Sequence, residues 1–147
     1  MFKRIMIPTD GSALAGKAVR AGMEMAKALG ARVVGYYAVE SVDQLYRAEG
    51  YRAPPSAIKD LQGRLAERGE KILAGISKAA MEAGVPCEVL MTSPGTPHQG
   101  IIDVAKKKKC DVIFMATHGR GRLASLVIGS VTQKVLAQSK IPVLVYR

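Results

Sequence analysis

The run Val112-Ile113-Phe114-Met115-Ala116-Thr117-His118-Gly119-Arg120-Gly121-Arg122-Leu123-Ala124-Ser125-Leu126-Val127-Ile128-Gly129-Ser130-Val131-Thr132 decides how this chain reads. It opens as an apolar strand and turns through glycine and arginine. It closes on a Gly-Ser pair that begins a segment with helical spacing. Glycines let a chain turn sharply and let a ligand approach the backbone closely. The N–H groups that open a helix have no intrahelical acceptor and carry partial positive charge, so a strand, turn and helix of this composition suit a phosphate. Ser130 supplies a hydroxyl there, and Arg120 and Arg122 can add charge-assisted bonds.

Upstream, Phe2 to Pro8 reads as a first strand, dense in apolar residues and closed by proline. Thr9-Asp10-Gly11-Ser12 is turn chemistry, with Ser12 able to cap a helix. Leu14, Ala18, Ala21, Met25 and Leu29 then predict one apolar stripe, stopped by Gly30. Val33 to Val39 is near-continuously apolar, as suits a strand covered on both faces. Glu40 to Pro55 is long for a connection and is expected to be a loop or short helical excursion. Ser56 to Ala83 is the longest helix, with Ile58, Leu61, Leu65, Ile72, Ile76 and Ala79 at the helical period. Gly84 and Pro86 end it. Cys87 to Met91 is a third strand. Thr96 and Pro97 begin a short helix that buries Ile101, Ile102 and Ala105. Lys106 to Lys109 follow it, where cations complement the helix dipole and stay solvated. Downstream of the quoted run, a helix over about 130–139 is expected to bury Val131, Val135 and Gln138. Lys140-Ile141-Pro142 breaks it before a fifth strand, Val143 to Tyr146.

Strands alternating with helices imply an α/β fold: an open five-stranded parallel sheet with helices on both faces, a single domain over residues 1–147. In strand order 3-2-1-4-5 the order reverses between strands one and four. Ligands in such sheets sit beyond the carboxyl ends of the strands at that reversal. Pro8-Thr9-Asp10 would therefore face the turn that joins Ala116 to Ser130.

Composition narrows the function classes. The chain has 147 residues, 48% hydrophobic, with 22 Lys+Arg against 12 Asp+Glu and a net charge of +10. A chain of this make-up folds, and its length suits one domain. No apolar run reaches transmembrane length and no signal-peptide pattern opens the chain, so a cytoplasmic location without a membrane partner is expected. Two cysteines form neither a disulfide framework nor a metal-ligand cluster. The positive charge favours anionic partners. With five Tyr, two Phe and no Trp, there is little platform for base stacking, and nucleic acid is not expected.

The turn is not a Walker A loop, since no Gly-Lys-Ser/Thr follows the glycines. Gly119-Arg120-Gly121-Arg122-Leu123-Ala124 matches the form G-x-G-x-x-A of the dinucleotide fingerprint. It follows the fourth strand rather than the first, however. The residues about 20 positions on, Ser139-Lys140-Ile141, offer no acidic partner for a ribose. His118 has no nucleophile and third orienting group beside it in sequence, so no catalytic residue is singled out and no metal ligands are expected.

Ala116-Thr117-His118-Gly119, nine residues, then Gly129-Ser130 resembles the G-x2-G-x9-G-(S/T) motif of the ATP-binding universal stress proteins, with Ala116 where the first glycine stands. Ile7-Pro8-Thr9-Asp10-Gly11-Ser12, Gly129 to Val135 and Ile141-Pro142-Val143-Leu144-Val145 are similar to that family too, so the resemblance spans essentially the whole chain. Alanine at 116 adds only a Cβ, which a negative φ accommodates. The resemblance implies a Rossmann-like fold of the adenine-nucleotide alpha hydrolase type. It implies ATP as ligand, with any Mg²⁺ held mainly by phosphates and waters. It also implies that Pro8, Thr9, Asp10 and Val39 line the adenine and ribose, that Met115, Ala116 and Gly119 border the nucleotide, and that Gly129, Ser130, Val131 and Thr132 meet the phosphates. A stress-response regulator that switches with its ligand is the function implied. A homodimer through the apolar edge strand Val143 to Tyr146 is expected on strand-edge grounds and implied by the family. Two alternatives stand beside this reading: a ligand-free dimeric interaction module, and a weak ATP-hydrolysing or nucleotidyl-transferring enzyme.

Overall fold

A computed structural model describes residues 1–42, 46, 50, 52–118 and 128–147. The elements are β1 (Arg4–Pro8), α1 (Ala13–Leu29), β2 (Arg32–Ala38), α2 (Pro55–Ala83), β3 (Cys87–Thr92), α3 (Pro97–Lys107), β4 (Val112–Ala116), α4 (Ser130–Gln138) and β5 (Val143–Tyr146). All strand pairs are parallel, as the alternation of elements implied, and the order is β3-β2-β1-β4-β5, the order expected for the sheet.

The near-continuous apolar strands are explained by two cores, one on each sheet face. Ile5, Ile7, Val33, Val112 and Phe114 pack beneath α1 and α2. Met6, Val34, Tyr36, Ile113 and Met115 alternate with them and pack beneath α3 and α4. Period-two alternation sends neighbours to opposite faces, so a strand covered on both faces is apolar throughout.

Three helix faces differ from the sequence expectation. In α1 the buried set is Ala15, Ala18, Val19, Gly22, Met23 and Ala26; Leu14, Ala21 and Met25 flank it, and Leu29 is 43% exposed. A Cβ on Gly22 would lie 2.5 Å from Ile7 Cδ1. The helix therefore approaches β1 closely at Gly22, with Val19 and Met23 buried on the same face. In α2 the buried residues are Gly69, Leu73, Ile76 and Ala80, while Ile58, Leu61 and Leu65 are only half-buried. A helix of 29 residues extends about 43 Å at 1.5 Å per residue. The seven-residue β2 spans only about 23 Å, so the first half of α2 outruns the sheet. In α4 Thr132 and Val135 are buried and Gln138 is exposed, because Thr132 Oγ1 donates to Ala116 O at 3.0 Å and turns that face inward.

Among the described residues, α1, α2 and α3 end alike. Two reversed hydrogen bonds close each end: Gly30 N to Lys27 O with Ala31 N to Ala26 O, Gly84 N to Met81 O with Val85 N to Ala80 O, and Lys109 N to Lys106 O with Cys110 N to Ala105 O. This motif needs one left-handed residue. Gly30 and Gly84 supply it with φ of 61° and 69°, and Lys109 with φ of 52°.

β1 and β4 pair only at Ile5↔Val112 and Met6↔Ile113. Beyond Met6 the two strands are no longer paired, and a crevice opens between Pro8 and Ala116 at the reversal of strand order.

Candidate functional site

The crevice is a cleft of about 310 Å³, within the range of small-molecule sites. The turn after β1 forms one side of it through Pro8, Thr9 and Asp10. The end of β2 contributes Tyr36, Ala38 and Glu40, and α3 contributes Pro97 and Ile101. The far side is built from Met115, Ala116 and His118 with the first turn of α4, Gly129 to Thr132.

Each wall is fixed by local chemistry. Thr9 N donates to Tyr36 O at 2.9 Å, which ties the β1 turn to β2. Within the turn, Gly11 N donates to Thr9 Oγ1 at 3.1 Å and Ser12 N donates to Asp10 Oδ1 at 2.9 Å. Ser12 Oγ caps α1 by accepting from Ala15 N. The α4 N-terminus is built differently. Its N-cap is Gly129, which makes no side-chain cap bond, and no acidic residue occupies its first turn. The opening turn of α4 therefore lines the cleft and carries no carboxylate of its own.

Gly129 is required by a close approach rather than by unusual backbone angles, its φ being −60°. A Cβ there would lie 3.0 Å from both Cα and Cβ of His118. Gly129 N donates to Thr117 O at 2.8 Å, so the start of α4 is seated directly against the end of β4. Thr132, 3% exposed, holds the same junction through Ala116 O. His118 Nδ1 lies 3.1 Å from Thr117 Oγ1.

Ala116 takes its place without strain. Lys109 is the only non-glycine residue with positive φ among the described residues. Ala116 ends β4 in register with Tyr146 and is 8% exposed, counted in the core beneath α1.

Of the residues anticipated for nucleotide contact, Pro8, Thr9, Asp10, Met115, Ala116, Gly129, Ser130, Val131 and Thr132 are brought together around one cleft. Val39 is not on its lining: it packs against the core beneath α1 and α2, and its N–H donates to Thr92 O at 2.8 Å. Tyr36, Tyr37, Ala38 and Glu40 around it line the cleft instead. Gly119 and Arg120 lie outside the described residues.

Tyr36, Pro97 and Ile101 were not anticipated. A helix that follows a strand starts at the carboxyl edge of the sheet, and α3 does so beside β2. The alternation that sends Tyr36 to the α3 face, with Met6 and Met115, was the available signal. Tyr36 OH lies 2.7 Å from Thr92 Oγ1. Burial pushes its phenol above the ordinary range despite that hydrogen bond, so it remains a neutral polar group in an apolar wall. Among the described residues no group of three or more His, Cys, Asp or Glu side chains is placed to hold a metal ion. No helix among them is long and apolar enough to cross a membrane.

Known proteins share this architecture over its full extent. A universal stress protein from Thermus aquaticus is 37% identical over 147 residues, covering all of both chains. The universal stress protein UspA of Lactobacillus plantarum superposes with a TM-score of 0.82 at 20% identity, over 99% of this chain and 98% of that one. A universal stress protein solved in complex with cAMP superposes at 0.72 with 24% identity, over 99% and 97%. A universal stress protein family member from Arabidopsis thaliana, solved with AMP bound, superposes at 0.69 with 16% identity, over 97% and 90%. The sequence profile of the Universal stress protein family matches residues 1–147, and the chain belongs to that family.

Proposed function

We propose that this protein binds an adenine mononucleotide, ATP in the first instance, at the cleft between β1 and β4, and that it acts as a ligand-dependent regulator rather than as a catalyst. The observation that carries the reading is the α4 N-terminus. It opens into the cleft with no side-chain cap and no acidic residue in its first turn, beside apolar walls from Ala38, Ile101, Met115 and Val131. Phosphates suit the first feature and a purine suits the second. The cAMP and AMP complexes of structurally similar family members support the same ligand class. Mg²⁺ would accompany the phosphates, which with waters supply most of its ligands.

In this reading Pro8, Thr9 and Asp10 meet the adenine and ribose, Met115 and Ala116 border the nucleotide, and Gly129 to Thr132 meet the phosphates. Gly119 and Arg120 belong to the same site by motif. A second copy of the chain would pair along β5, an edge strand on which Leu144 is 37% exposed. Edge strands with apolar side chains favour such pairing.

The test is mass spectrometry of small molecules released from freshly purified, denatured protein, followed by calorimetric titration with ATP. Bound or titratable ATP is expected. Gly129→Ala is expected to weaken binding about tenfold or more, since its Cβ would meet His118 and push the start of α4 from β4. Absence of both co-purified nucleotide and a calorimetric signal would refute the reading in favour of a ligand-free interaction module. Hydrogen exchange over 40–55 and 119–129 with saturating ATP tests the switch; unchanged exchange in both would refute it.

A further inference from the structure

The end of the sheet opposite the cleft carries its own chemistry. Parallel strands all begin there and the crossover helices end there. Lys3 precedes β1, Lys27 lies in the last turn of α1, Arg32 opens β2 and Lys140 precedes β5; all four are exposed. Lys106, Lys107 and Lys109 gather at the end of α3 and are exposed too. The carboxylates at this end are engaged. Asp111 accepts the N–H groups of Lys3 and Arg4, Glu88 pairs with Lys108 at 2.9 Å, and Glu82 pairs with Lys78 at 3.9 Å. Glu24 and Asp103 sit about a turn or more back along α1 and α3. The result is a broad cationic surface.

Two observations separate this surface from an incidental basic patch. Complementing the helix dipole accounts for Lys106 and Lys107, which lie in the last turn of α3. Lys109 lies just past the helix, in a left-handed conformation with φ of 52°. The equivalent positions after α1 and α2 are Gly30 and Gly84. A lysine in this conformation is disfavoured relative to glycine, so the charged side chain is kept at a backbone cost that Gly30 and Gly84 do not carry. Secondly, the large hydrophobic residues exposed among the described ones are Met1, Leu29, Met81, Leu136 and Leu144. Four of these, Met1, Leu29, Met81 and Leu136, lie at this same end, Leu136 in the last turn of α4 at 42% exposure. Leu29 closes α1 at 43% exposure and Met81 lies in the last turn of α2 at 77%.

We propose that this end of the sheet docks on an anionic lipid surface, with the lysines and Arg32 held by the headgroups and Leu29 and Met81 inserted between them. Cations interleaved with protruding aliphatic side chains match that interface. A nucleic-acid backbone would use the charge but not the aliphatic side chains, and the aromatic residue beside this end, Phe2, is half-buried. The strands are five to seven residues long at the centre of the sheet. The cleft is therefore about 20 Å away and faces solvent when the opposite end is on a membrane. The absence of a spanning apolar run has no bearing on such surface association.

Co-sedimentation tests the proposal, with vesicles of phosphatidylcholine alone and with about one-third phosphatidylserine, at about 0.1 M salt, where charges beyond about 10 Å are screened. Preference for the anionic vesicles is expected. Each lysine contributes about fivefold to partitioning. The triple variant Lys106→Gln, Lys107→Gln, Lys109→Gly should therefore bind about 100-fold more weakly. Leu29→Ser with Met81→Ser should weaken vesicle binding severalfold and leave binding to a short DNA duplex unchanged. Thermal melting confirms that each variant folds. Equal sedimentation with neutral and anionic vesicles overturns the proposal. So does a Leu29→Ser, Met81→Ser variant that sediments like the parent, because the apolar residues then play no part.

Discussion

Restoring glycine at position 116 tests how the site tolerates its departure from the family motif. Ala116 has an ordinary strand backbone, is 8% exposed and contributes its methyl group to the core beneath α1. Ala116→Gly therefore removes a buried methyl, worth about 0.8 kcal/mol. It also adds the backbone-entropy cost of glycine within a strand, about 0.5–1 kcal/mol. The sum is a destabilisation of about 1–2 kcal/mol, which for a chain of this size lowers Tm by about 3–7 °C. Nucleotide affinity is expected to stay within about twofold of the parent, because Thr132 anchors the carbonyl of residue 116 whatever its side chain. Differential scanning calorimetry and ATP titration of the two proteins provide the comparison. An unchanged Tm together with affinity raised tenfold would refute the reasoning, since the methyl would then occupy ligand space rather than core.

Thr132→Val keeps the shape of a buried side chain and deletes its bond to Ala116 O. It should cost about 1–2 kcal/mol and weaken ATP binding by loosening the junction of α4 and β4, both measured in the same titrations. Lys109→Gly relieves the left-handed lysine and should stabilise the fold by about 1 kcal/mol; a lower Tm would contradict that. Cys110 is 6% exposed, and burial pushes its thiol up to about 11. It should react far more slowly with a disulfide reagent at pH 8 than after denaturation. With its folded pKa above the ordinary 9.0, its contribution to stability is complete below pH 9 and is lost as pH rises through about 11. Cys110→Ala should flatten that alkaline limb of the urea-denaturation profile.

Helix faces were the least legible part of the fold. The sequence pattern selects the stripe of Leu14, Ala18, Ala21, Met25 and Leu29 in α1, but the buried face is rotated from it to Ala15, Ala18, Val19, Gly22, Met23 and Ala26. Gly22 and the alanines permit contact with Ile7, and no spacing rule ranks a glycine as core. Similarly, α2 is periodic throughout its length, yet only the part that overlies the strands is fully buried. Thr132 was read as a ligand contact and proved also to be a buried anchor, because its acceptor lies 16 residues earlier in the chain. In the site, residues next to glycines and turn signals were readable. Tyr36, Pro97 and Ile101 line the cleft through packing of α3 on β2, which leaves no local motif.

Local chemistry in the sequence determined the alternation of strands and helices, the turn after β1 and the Gly129-Ser130 start of α4. It did so because hydrophobic period, turn residues and helix starts act over a few residues. The tertiary structure alone decided three things: the divergence of β1 from β4 after Met6 that opens the cleft, the removal of Val39 from its lining, and the union of seven exposed cations with Leu29 and Met81 at the opposite end. Each depends on segments that are distant in sequence and adjacent only once the parallel strands are aligned in register.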